Sequence, residues 1–136
     1  MQYWLMKSEP DKYSWDDLVR DGCTVWDGIR NHQVAIWLRQ MAVGDQALFY
    51  HSNVGLEAVG IMEIIAPAHP DASDPKGKFV AVDVAPLRPL PRPVTLAAMK
   101  AEPALAELPL FRQFRLSVVP VTPDQWQMLL RMAGAA

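Results

Sequence analysis

A chain of 136 residues, 51% of them hydrophobic, is long enough to bury one core and too short for two domains of ordinary size. Its net charge of −2 excludes a protein that coats long stretches of duplex by neutralising many phosphates, and its single cysteine, Cys23, excludes an internal disulfide and a Cys-rich zinc site. The N-terminal MQYWLMKSEP is broken by charge and proline too early for a signal peptide, and no apolar run approaches the ~20 residues of a membrane span.

These features predict one domain over residues 1–136, unexported, without a membrane and without a cofactor, residing in the reducing cytoplasm as a monomer. The charge is unevenly spread: residues 1–40, 41–75 and 76–136 carry −1, −5 and +4. A local basic face therefore remains open, with a footprint of one or a few nucleotides.

In chain order, Gln2 to Lys7 is apolar, rich in aromatic residues and closed by Ser-Glu-Pro, which predicts a strand. Ser14 with Asp17 forms a weak capping box, and Trp15, Leu18 and Val19 give one face to a helix that Gly22 stops. Thr24 to Trp26 and an Asp-Gly turn lead to Asn31, which can cap a helix whose Val34, Trp37, Leu38 and Met41 recur at helical spacing.

Ala47–His51, Ala58–Ile65 and Lys78–Pro86 read as three strands, with a hairpin turn at Ser52 to Gly55 and a polar loop over Pro67 to Lys76. Leu87 to Pro93 is so dense in proline that it reads as an extended connector. Thr95 caps a short helix, Leu116–Val121 is a strand, and Thr122-Pro123 opens a last helix ending at Gly134. Six short strands and four short helices without βαβα alternation predict an α+β fold, a mixed sheet or closed barrel with helices against it.

Catalytic and metal chemistry find little support. Cys23 has His32, His51 and His69 elsewhere in the chain but no local motif, the histidines lack a ligand spacing, and no glycine loop cradles a phosphate. Lys7, Ser8 and Glu9 could supply a hydrolytic nucleophile, base and acid, but neighbours on a strand point to opposite faces.

Binding is better provided for. Polar residues gather where elements end: Lys7-Ser8-Glu9, Trp26 to Asn31, and His51-Ser52-Asn53. If these ends converge they offer an indole for stacking, hydroxyls and amides for a base edge, and cations for phosphate. The plainer reading of WDGIRN stands beside it, with Trp26 in the core, Asp27-Gly28 as the turn and Asn31 as the cap.

YWLMKSEP, WDGIRN, ALFYHSN, KFVAVDVAPLRPL and RLSVVPV, in this order over nearly the whole chain, resemble the EVE domain family. The resemblance implies a PUA-like mixed β-barrel of about six strands flanked by short helices, similar in architecture to the YTH readers of methylated adenine. It also implies a non-enzymatic reader of modified nucleobases, modified cytosine in DNA first and RNA second, with an effector partner unknown. By motif it places Lys7, Ser8, Trp26, Asn31, His51, Ser52, Asn53 and Arg115 around one pocket: Trp26 stacks, Ser8, Asn31 and Ser52 read edges, and Lys7 and Arg115 hold phosphate.

The chain departs from the family after WDGIRN. His32-Gln33-Val34-Ala35-Ile36 stands where Tyr-Gln-Ala-Arg-Asn is usual, so an arginine and an asparagine are missing there. The alternative reading is a small PUA-like hydrolase that acts on modified nucleosides or amides through Lys7 and Glu9.

Overall fold

The computed structural model describes residues 1–113 and 115–136. Six strands, β1 (Tyr3–Ser8), β2 (Thr24–Trp26), β3 (Gln46–His51), β4 (Glu57–Pro70), β5 (Val80–Thr95) and β6 (Val118–Val121), form one mixed sheet in the order β2-β5-β4-β3-β1-β6. β1 and β3 are parallel and the other neighbours antiparallel. Among the described residues no ladder joins β2 to β6, so the sheet is not closed by hydrogen bonds into the expected barrel.

Four helices cover it: α1 (Trp15–Asp21), α2 (His32–Gln40), α3 (Leu96–Ala101) and α4 (Pro123–Met132). Their starts are written locally. Ser14 and Asp17 form a reciprocal capping box, Asn31 Oδ1 accepts from Val34 N, Thr95 caps α3, and Thr122 with Gln125 boxes the start of α4 ahead of Pro123. Gly22 ends α1 in the left-handed conformation at φ 79°.

The alternation of β1 divides the core in two. Trp4 and Met6 face one cluster, shared with Trp15 and Leu18 of α1, Trp26, and Val34 and Leu38 of α2. Leu5 faces the other, with Met99 of α3, Leu105, and Trp126 and Leu129 of α4. The sheet is thus packed on both faces, which is why its middle strands are apolar on both sides. Trp15 lies flat on β4, where a Cβ added to Gly60 would come within 2.5 Å of the indole ring.

Two expectations are corrected. β5 does not stop at Pro86 but runs through the proline-dense stretch to Thr95. β2 covers β5 only opposite Val82 to Val84, and between Pro89, opposite Gly60, and Val94, opposite Ala58, the ladder to β4 is interrupted by a bulge that holds Pro91 and Pro93, while Arg92 N donates outside the sheet to Ala133 O. Likewise β4 extends to Pro70, into the expected loop, with register shifts between Ile64 and His69 that break the period of two.

Candidate nucleic-acid interface

The parallel pairing of β1 with β3 sets Lys7 beside Tyr50 and Ser8 beside His51, so both strands end at the same place. The chain then binds its own turns there. Ser52 N donates to Ser8 O at 3.0 Å, and Lys7 N donates to Ser117 O at 2.8 Å, which draws the segment before β6 to the same end. β2 brings Trp26 to this end from the far side of the sheet.

The result is one open cavity of about 650 Å³. Lys7, Ser8, Trp26, Ser52, Asn53 and Arg115 line it, bringing together six of the eight expected residues from four separate segments. Tyr13, Thr24, Tyr50, Leu56, Leu96, Leu110 and Ser117 complete much of the wall. The lining mixes apolar residues with hydroxyls, an amide, the cations of Lys7, Lys12 and Arg115 and the carboxylates of Glu9 and Asp27, and its volume suits a small planar ligand.

Trp26 is both core and wall. It is 9% exposed, edge-on to Phe49 at 5.6 Å, yet borders the cavity, so the two readings of WDGIRN hold together for this residue. Ser8 Oγ donates to Tyr13 O at 2.5 Å, which leaves its lone pairs to accept from a ligand. Asn53 sits in the left-handed region at φ 70° in the turn after β3, a conformation its short amide tolerates. Leu56 shares that region at φ 49° without such an excuse, a strained residue on the cavity wall.

Asn31 and His51 lie outside the lining, each for a local reason. The Asn31 amide oxygen is taken by the helix it caps, 3.0 Å from Val34 N. His51 Nε2 accepts from Trp15 N at 3.1 Å, serving one of the unmatched donors in the first turn of α1. Burial holds the His51 imidazole below its ordinary value, against the pull of Glu57 and Asp16, and the neutral ring is the form that can accept this bond.

Burial also lowers the Lys7 ammonium and raises the Tyr50 phenol, so the cavity end of β1 and β3 disfavours charge. Glu9, the other half of a Lys7–Glu9 hydrolytic pair, lies 2.9 Å from the exposed Lys12 ammonium. Among the described residues no cluster of His, Cys, Asp and Glu could hold a metal, and no helix is long and apolar enough to cross a membrane.

Sequence reasoning passed over Asp71, the residue that fixes WDGIRN. Its Oδ2 accepts from Gly28 N at 2.9 Å and Arg30 Nη1 at 3.2 Å, while Oδ1 accepts from Ser73 N and Oγ. Gly28 has φ 81°, which favours glycine at that turn. The Asp71-x-Ser73 spacing, a side-chain turn signature inside the polar loop, is the signal that could have found it. Arg30, spanning Asp71, Ser73 and the Phe79 ring, braces the turn. The departures after WDGIRN pack locally as well: His32 leans on Phe79, Ala35 is buried, and Ile36 is on the surface.

The model of the EVE domain matches residues 2–132. The chain belongs to the EVE domain family. Human thymocyte nuclear protein 1 is 34% identical over 96% of this chain and 73% of its own. Among solved structures of EVE-like architecture, Rpa0253 from Rhodopseudomonas palustris superposes with a TM-score of 0.94 at 50% identity, covering 98% of this chain and 94% of that one. Human THYN1, in a complex with DNA containing 5-methylcytosine, superposes at 0.93 with 32% identity and 98% coverage of each chain. The six-stranded, helix-flanked α+β sheet is the PUA-like architecture of these EVE structures.

Proposed function

We propose that this EVE domain is a non-enzymatic reader that takes one modified base of DNA, modified cytosine foremost, out of the strand and into the cavity between β1, β3 and β2. The observation that carries the reading is the cavity itself, where an indole, hydroxyls, an amide and the cations of Lys7, Lys12 and Arg115 meet. The likeness to human THYN1, whose structure holds 5-methylcytosine DNA, supports the choice of ligand.

The energetics set what the cavity must do. Extruding a base costs a few kcal/mol, and one aromatic stack returns ~1–3 kcal/mol, so hydrogen bonds from Ser8, Ser52 or Asn53 are needed to make binding favourable. Burying a methyl adds only ~0.8 kcal/mol, so discrimination of a modified from a plain base rests on fit and polar groups. Lys7 and Arg115 hold the phosphates in this reading.

The test is a binding panel of single- and double-stranded DNA and RNA carrying plain and modified bases. Trp26→Phe keeps the edge contact with Phe49 while shrinking the stacking face, and is expected to weaken modified-base DNA about tenfold, close to 1.4 kcal/mol. Equal affinity for every plain and modified strand would reject the reading, and turnover of a modified nucleoside lost in Lys7→Ala would replace it with the hydrolase.

A further inference from the structure

We propose that Lys7 gives the cavity a reversible covalent contact, its ε-amine condensing with the aldehyde of a formyl-bearing base to form an imine. This rests on the reader reading above and names a ligand class within it, for which Lys7 turns to the base and leaves phosphate to Arg115. The geometry comes first. Lys7 stands at the cavity end of β1 with Tyr50 as its neighbour across the parallel ladder, and both line the space a base would enter.

An amine attacks a carbonyl only in its neutral form, and burial at this end of the sheet shifts Lys7 toward that form. Lys12, the second lysine on the cavity, has a side chain 82% exposed, with its Nζ 2.9 Å from the Glu9 carboxylate. A methyl substituent makes no use of an amine. A formyl group presents an electrophilic carbon to it.

The step balances without any further reagent. The lysine nitrogen pair forms the C–N bond as the carbonyl π pair moves to oxygen, and one proton passes from nitrogen to that oxygen to give a carbinolamine. The hydroxyl then leaves with the second nitrogen proton as water, and the nitrogen pair closes the C=N bond. The Tyr50 phenol and the Ser117 hydroxyl border the same cavity and can pass the proton. Burial keeps the phenol protonated, as a donor must be.

The intact protein is incubated with oligonucleotides bearing 5-formylcytosine, 5-methylcytosine or plain cytosine, reduced with sodium cyanoborohydride, and read by intact mass and peptide mapping. The expected result is a single adduct with the formyl strand, mapped to Lys7, at least tenfold weaker in Lys7→Arg and suppressed by excess 5-methylcytosine strand. Binding of both modified strands without an adduct, or an adduct spread over Lys12, Lys76, Lys78 and Lys100, overturns the imine and leaves the reader standing. Failure of every modified strand to bind overturns the reader and the imine with it.

Discussion

Asp71, the first residue beyond β4, is buried and accepts from Gly28, Arg30 and both donors of Ser73. Burial alone would raise its pKa, but the bonds from Ser73, Gly28 and Arg30 prevail and hold it at about 2, against an ordinary 3.8. As pH falls the unfolded chain therefore takes up this proton first. The stabilisation is complete above about pH 4 and is lost as pH falls toward 2. Asp71→Asn is expected to cost roughly 2–3 kcal/mol near neutrality, since it weakens bonds to a buried charge, and its deficit in urea unfolding should shrink below pH 4. A deficit independent of pH would mean that the carboxylate charge is not what holds the turn.

The same scale shows why some site residues were legible and others were not. Lys7, Ser8, Ser52 and Asn53 stand at element ends, Arg115 followed only from the family motif, and all five line one cavity. Asn31 and His51 have the same chemistry, but each is consumed within a few ångströms by a helix start. Residue type states what a side chain can bond, whereas only the fold states what it has already bonded. Trp26 carried both readings because an indole is large enough to pack against Phe49 in the core and still border the cavity.

Elements obey the sequence where their signals are local and escape it where the signal depends on a neighbour. The N-cap of each of the four α-helices was legible, being a contact between residues three apart. The second half of β5 was not, because a strand tolerates proline only where the ladder does not need its N–H, and both the shortness of β2 and the bulge that interrupts pairing with β4 between Pro89 and Val94 are set by neighbours. Gly60 illustrates a contact no periodicity reveals: the strand needs glycine there because the indole of α1 lies on its backbone. Gly60→Ala is expected to destabilise by ~1–3 kcal/mol, with a shift of Trp15 fluorescence, as α1 is pushed off the sheet. Since Trp15 N is the partner of His51, the same substitution should free that imidazole and raise its pKa, which NMR titration would follow. An unmoved His51 would separate the helix start from the strand contact.

At the scale of the whole molecule, charge and shape agree on a small footprint. The net charge of −2 with a positive final segment allows a few phosphate contacts around one cavity. Log affinity for modified-base DNA is expected to fall with log salt at a slope of about −2, set by Lys7 and Arg115, and each single neutralisation should reduce it by about one. A slope several times steeper would point to a broad groove in place of a pocket.

The single parallel pair has a consequence for how the protein can be cut, grafted or unfolded. Two strands can run side by side in the same direction only after a long excursion of chain, here residues 9–45, which contain α1, β2 and α2. No short fragment can hold the cavity, and no partly ordered intermediate that lacks the β1–β3 ladder can present it. Ligand capture is thus a report on completed folding: a bound strand should raise the melting temperature of the entire domain, including variants weakened far from the cavity, in proportion to the logarithm of its concentration.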